Sequence, residues 1–170
     1  MATVTTITYA TDTALAVTEW DATLAAGQYA TSAIYDNTST NYVDVLLGGV
    51  LELDATTPVA GDTMDVYIHG QYSETATDMT GAIDALLNAA TEEVAEVAFV
   101  KANLRLLESV AVEAGTPATA QGYHWGPLAV AGIFGGIMPK RFMLLLHNNT
   151  AGTMAAGPDV NVTGITFTHT

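Results

Sequence analysis

The sequence predicts an all-β fold: one antiparallel β-sandwich of jelly-roll-like type, with one short helix or long loop, spanning residues 1–170 as a single domain. Period-two alternation of apolar and polar residues recurs in five or more segments, as strands with one buried face require. Thr runs together with Val, Ile and Tyr, as in Val4-Thr5-Thr6-Ile7-Thr8-Tyr9, and such residues fit a pleated, half-buried surface. The chain is 49% apolar and 13% charged, which is enough apolar material for a real core and the reverse of a disordered composition.

In chain order, residues 1–10 read either as an N-terminal arm with open backbone edges or as the first strand of the sandwich itself. Tyr35-Asp36-Asn37-Thr38-Ser39-Thr40-Asn41 reads as a turn, because Asp and Asn side chains bond nearby backbone. From Val43 the odd positions are Val43, Val45, Leu47, Gly49, Leu51 and Leu53, against Tyr42, Asp44, Glu52 and Asp54 on the other parity. Gly48-Gly49 predicts a bulge or bend in that strand. Thr57-Pro58-Val59-Ala60-Gly61-Asp62 is a turn, followed by a strand with Met64, Val66 and Ile68 on one face.

Ile83, Leu86, Leu87 and Ala90 are spaced for an amphipathic helix within Met79–Val94. Leu104, Leu106, Val110 and Val112 then share one parity of a strand. Phe142, Leu144 and Leu146 begin another, ending at the turn His147-Asn148-Asn149-Thr150-Ala151-Gly152. In the last strand the apolar parity flips from Val160 and Val162 to Ile165 and Phe167, which predicts a bulge at Gly164.

Charge narrows the function classes. There are 18 acidic and 4 basic residues, a net charge of −14. Nucleic-acid binding needs Lys and Arg to neutralise phosphates, so neither nucleic acid nor an anionic membrane is an expected partner. The absence of cysteine removes disulfide scaffolds and thiol chemistry. Met1 to Tyr9 has no basic residue and no apolar run, so no signal peptide is expected. Pro127–Met138 falls short of the ~20 apolar residues that span a bilayer.

Catalytic and cofactor signatures are not evident, and no enzyme activity, metal or cofactor is expected. His69, His124, His147 and His169 lie far apart, without His-x-His or His-Glu-x-x-His spacing. Ser32, Ser39, Ser73 and Ser109 lack a nucleophile-elbow context. Asp44, Glu52, Asp54, Asp62 and Asp65 cluster around a strand–turn–strand. A solvated acidic face explains them best, a calcium site second and a glycosidase pair third. Trp20, Tyr29, Tyr35, Tyr42, Tyr67, Tyr72, Tyr123 and Trp125 read as core and interface aromatics rather than a sugar-stacking platform. The sequons at Asn37, Asn148 and Asn161 are expected by chance in a Thr-rich chain. Pro139-Lys140-Arg141 holds half of the basic residues and reads equally as a contact for an acidic partner or as a strand start.

Several segments taken in order carry a resemblance. These are Thr31–Asn37, Tyr42–Val45, Ala60–Ile68, Asn103–Leu107, Phe134–Phe142 and Leu145–Gly152. Together they resemble a family of jelly-roll-like capsid decoration or accessory virion proteins of tailed phages. The resemblance covers roughly Trp20 to Phe167, and this chain departs from it by a longer Ala-rich stretch between Thr80 and Ala98. It implies a structural protein of the virion on the capsid exterior, assembled in the host cytoplasm. It also implies the major capsid protein as partner, and no catalytic residues. A 49% apolar chain further suggests a homo-oligomer, with a trimer suiting the three-fold positions of an icosahedral shell. The alternatives are a carbohydrate- or ligand-binding jelly-roll module, tail or fibre associated, and more remotely a glycosidase-like enzyme.

Overall fold

The computed structural model describes residues 5–16, 24–54, 59–72, 104–113, 120–155 and 159–169. They form β1 (Thr5–Tyr9), β2 (Thr13–Ala14), β3 (Tyr29–Thr31), β4 (Tyr35–Asp36), β5 (Asp44–Leu53), β6 (Thr63–Gln71) and β7 (Arg105–Ala111). These are followed by β8 (Gln121–Ala129), a four-residue helix α1 (Val130–Ile133), β9 (Arg141–Asn149) and β10 (Asp159–His169). The Met79–Val94 helix expected from sequence lies outside the described residues.

One sheet has the order β1-β10-β5-β8, with β2 also on β10. The other has β3-β9-β6-β7, with β4 also on β9. All pairings are antiparallel. If β1/β2 and β3/β4 count as two interrupted strands, the chain visits the sheets in jelly-roll order. The first, eighth, third and sixth strands pair in one sheet, and the second, seventh, fourth and fifth in the other. The expected sandwich is therefore present.

Its core lies between the sheets. Val45, Leu47, Leu51 and Leu53 of β5 meet Met64, Val66 and Ile68 of β6 and Phe142, Leu144 and Leu146 of β9. Side chains alternate across each strand, so these same-parity residues all reach the interior while their neighbours face outward. Trp125 of β8 joins them, as do Val160 and Val162 of β10.

The structure corrects three local expectations. The irregularity near Gly48-Gly49 exists, but the extra residue belongs to β8. Leu47 pairs with Leu128 and Gly49 with Trp125, so Gly48 faces two residues, Gly126 and Pro127. β10 itself has no bulge at Gly164, because its register is unbroken from Asp159 to Ile165 against β5 and from Ile165 to His169 against β1; the extra residue lies opposite, where Ala10, Thr11 and Asp12 between β1 and β2 face Thr163 and Gly164. A glycine at 164 is required by packing, since the Tyr42 ring occupies the space that a Cβ there would need. Finally, Leu104 to Val112 do not share one face. A register shift opposite Val66 and Tyr67 breaks the alternation, leaving Leu106 exposed and Val110 and Val112 buried.

Residues 5–9 pair with β10, so this stretch is the first strand of the protein's own sheet rather than a free arm. β5 begins opposite Ile165, and β10 continues past it. Beyond the sandwich, β1 and the end of β10 therefore form a two-stranded ribbon in which all five residues of β1 are exposed.

Candidate functional site

Among the described residues the candidate carboxylates are largely held apart, and Asp44 and Asp62 bind backbone groups; Ser73 lies outside the described residues. Asp44 Oδ1 accepts from the backbone N–H of Val45 and of Ala131, each at 2.7 Å, tying the start of β5 to α1. Asp62 Oδ2 accepts from the N–H of Val59 at 2.9 Å and of Ala151 at 2.8 Å, closing two turns at the opposite end. Among the described residues no three His, Asp or Glu side chains group closely enough to hold a metal ion.

One polar row does cross a whole sheet. Tyr29, His147, Asp65 and Ser109 are successive cross-strand partners on β3, β9, β6 and β7. Ser109 Oγ donates to Asp65 Oδ1 at 2.6 Å, His147 Nδ1 lies 3.4 Å from Asp65 Oδ2, and Tyr29 stacks on His147 at 4.1 Å. Nucleophilic catalysis needs the histidine between the hydroxyl and the acid. Here the carboxylate stands in the middle, so the histidine is not in position to take the serine proton. Burial, with Tyr67 and Asp65 adding to it, pushes the Tyr29 hydroxyl up to about 12. Tyr29 is accordingly a neutral packing partner at physiological pH.

Further along β6, burial holds the His69 imidazole below its ordinary value of 6.5. The folded state then binds a proton less readily than the unfolded chain. The stability this contributes is present above pH 6.5 and is lost as pH falls through the lowered folded value. Urea unfolding at pH 7.5 and pH 5 should show lower stability in acid. His69→Gln should flatten that difference, and an unchanged pH slope in the variant would contradict the assignment.

The aromatic candidates do not make a platform. Trp125 is a core residue, and Tyr35 stacks on Phe142 at 4.7 Å. Tyr42 packs over Gly164, and Trp20 lies outside the described residues. Of the sequon asparagines, Asn37 and Asn148 are buried and hydrogen-bonded, and Asn161 is exposed on β10.

A different distribution stands out. Registers place the Asn37–Val43 turn, α1 with the loop to Lys140, and the β1–β10 ribbon at one end of the sandwich. Arg105, Lys140 and Arg141, the Lys and Arg of the described residues, all belong to this half. Ile7, Tyr9, Val43, Tyr72, Ile137 and Phe167 stand exposed here, whereas among the described residues Val59 is the exposed large apolar residue of the far end. Glu52, Asp54, Asp62, Glu113 and Asp159 mark that far end as acidic.

The near end is braced. Asn37 Oδ1 accepts from Tyr42 N–H and Thr40 Oγ1, and its Nδ2 donates to Tyr42 O, each at 2.9 Å. Arg141 Nε donates to Asp36 Oδ2 at 3.0 Å. Hydrogen bonds from the Thr38 hydroxyl and N–H, aided by Arg141, hold the Asp36 carboxyl below its ordinary range. Phe134 fills the space over Gly70, with Tyr72 edge-on at 6.4 Å and the Arg105 guanidinium 4.9 Å from its centroid. A pocket of about 570 Å³ opens between turn and loop, lined by Asn37, Thr38, Asn41, Tyr42, Met138, Lys140 and Arg141.

Sequence reasoning singled out Lys140 and Arg141 but not their convergence with the Asn37–Tyr42 turn. A long-range β4–β9 pairing creates that contact, and it leaves no local pattern. No helix of the described residues is long and apolar enough to cross a membrane. The fold defines an antiparallel jelly-roll sandwich in which the described cations and most of the exposed large apolar side chains share one end. No protein-family model matches the chain, and no curated protein matches it.

Proposed function

We propose that this chain is a structural, non-catalytic protein of a tailed-phage virion that attaches to the capsid exterior through the ribbon-and-loop end of its jelly roll. The observation that carries the reading is the concentration at one end of the described cations, which offset Asp36 and Asp44 there, and of exposed apolar side chains outside the ribbon, Val43, Tyr72 and Ile137, with Glu52, Asp54, Asp62, Glu113 and Asp159 at the other end. Exposed apolar surface of this kind marks interaction sites. An acidic far end favours solvent and keeps neighbouring copies from sticking indiscriminately. The ordered resemblance to decoration proteins supplies the partner, the major capsid protein. Self-association into a closed oligomer belongs to the same reading, because several weak contacts engaged together bind tightly.

The test is cosedimentation of the purified protein with undecorated heads of the phage that encodes it, and with free capsid subunits. Binding to heads and not to free subunits is expected. It should persist at high salt, since apolar and backbone contacts are not screened and repulsion from the −14 chain is. No head binding at any salt would remove the capsid assignment. The pocket beside Lys140 and Arg141 favours the second reading, a ligand-binding module of tail or fibre, which that result would promote.

A further inference from the structure

We propose that the β1–β10 ribbon is the self-association element, three copies closing their ribbons into one six-stranded antiparallel barrel on a three-fold axis. The inference deepens the oligomer in the reading above by naming its surface, and it stands whether or not the partner is a capsid.

The first observation is an inverted face. Val45, Leu47, Val160 and Val162 put apolar side chains on the core side of the sheet. Past Gly164 the unbroken register turns Ile165 and Phe167 to the opposite side, where Phe167 pairs with Ile7 and Ile165 with Tyr9. Ile7, Tyr9 and Phe167 are 53%, 61% and 50% exposed. Thr6, Thr8, Thr166 and Thr168 take the other face. A strand pair with one apolar and one threonine face is patterned for burial of the apolar side. The chain's own fold buries Ile165, at the foot of the ribbon, and leaves Ile7, Tyr9 and Phe167 uncovered.

The second observation concerns the edges. Ala10 N–H donates to Gly164 O at 2.8 Å. Antiparallel alternation then directs the backbone groups of Thr6 and Thr8 toward β10 and those of Ile7 and Tyr9 away from it. On the other strand Val43 N–H donates to Ile165 O at 2.9 Å, so Phe167, two residues on, directs its backbone groups to the same side. β5 begins only opposite Ile165, and no described strand lies beside Phe167. The ribbon therefore presents two different open edges, and open edges pair with other strands.

Those edges fit each other. β1 runs from the tip toward the sandwich and β10 runs toward the tip. With copies side by side and equally oriented, β1 of one copy meets β10 of the next in the antiparallel sense. Three ribbons close the ring, which removes every open edge and turns Ile7, Tyr9 and Phe167 into a shared interior with the threonines outward. A two-fold pairing of β1 with its own copy would leave the Phe167 edge open on both. Charge points to the occupant. Thr5–Tyr9 and Gly164–His169 contain no Asp, Glu, Lys or Arg, so this is surface on which two copies of a −14 chain can meet without like-charge contact.

The experiment is the mass in solution by light scattering, at micromolar concentration, without any partner. Wild type is expected at three times the 17.7 kDa chain. Ile7→Asp and Phe167→Asp should each give a chain that keeps its strand circular dichroism and runs as monomer. Ile7→Pro keeps an apolar side chain and removes an edge donor not used in the β1–β10 ladder, and it should also dissociate the trimer. Val59→Asp, an exposed apolar position at the far end, should leave the mass unchanged. A wild-type monomer or dimer, or a trimer that survives Ile7→Asp and Phe167→Asp together, would overturn the proposal. Because no heads are present, that failure is separate from failure to bind the capsid.

Discussion

Gly49→Ala is expected to lower the unfolding free energy by on the order of 4 kcal/mol or more, among the largest effects a single methyl can have. Gly49 lies in β5 between β10 and β8, paired with Val160 on one side and Trp125 on the other. A Cβ there would sit 1.9 Å from the carbonyl oxygen of Asp159, 2.9 Å from its carbonyl carbon and 3.2 Å from Trp125 Nε1. The two nearest atoms are backbone and cannot swing aside as a side-chain tip would. Relief requires β10 to move off β5, which breaks the register that places Val160 and Val162 in the core. Gly132→Ala is the control, because a Cβ at Gly132 meets nothing within 4 Å. Urea unfolding of both variants checks this, and comparable stabilities for the two would contradict it.

The second large effect is expected at Asn148, which is fully buried at the acidic end. Its Nδ2 donates to Leu24 O at 2.8 Å and Gly152 O at 2.9 Å. Its Oδ1 accepts from the N–H of Thr150 at 3.1 Å and from the Thr150 hydroxyl at 2.7 Å. One amide thus holds the turn after β9 and joins it to the strand-like bridge at Leu24. Leu24 O keeps a second donor in Met154 N–H, and Gly152 O keeps the Thr150 hydroxyl. In Asn148→Ala the Thr150 N–H is the group left without its acceptor. The cost is about 2–3 kcal/mol, from that buried donor and the lost side-chain bonds. Asn148→Asp should cost at least as much near neutral pH, because its carboxylate sets a buried acceptor against Leu24 O and Gly152 O, where the amide donated, and urea unfolding of both variants checks this.

Alternation made the sandwich legible. The odd positions of β5 and the even positions of β6 and β9 fill the core as their period predicts, because one buried face per strand imposes a period of two. The parity change after Val162 was also visible in the sequence. Its meaning was not, since a bulge and a continuous strand leaving the sandwich produce the same apolar shift. Only the pairing of Thr5–Tyr9 with Ile165–His169 distinguishes them, and that pairing joins residues more than 150 positions apart. Gly164 read as a break for the same reason, while its role is to admit the Tyr42 ring.

The candidate surface was legible only in parts. Lys140 and Arg141 stand out in the sequence as half of the basic residues, and the Asn37–Asn41 stretch as a turn. Their meeting depends on β4 pairing with β9 at Asp36 and Arg141, a contact with no local signature. The acidic cluster from Asp44 to Asp65 looked like one group in sequence. Strand direction separates it, sending Asp44 to the ribbon end and Asp62 to the far turns. The polar row through Asp65 and His147 has no sequence signal either, because its members come from four strands.

The central claim is that one end of the jelly roll attaches to an assembled head while the acidic end faces solvent. Hydrogen–deuterium exchange on the protein free and bound to undecorated heads reads this directly. The account predicts new protection on binding in the Asn37–Val43 turn and in Phe134–Arg141, with exchange unchanged in the far-end turns Val59–Asp62 and Thr150–Met154. Protection confined to those far-end turns, with the Asn37–Val43 turn and Phe134–Arg141 exchanging as in the free protein, would contradict it.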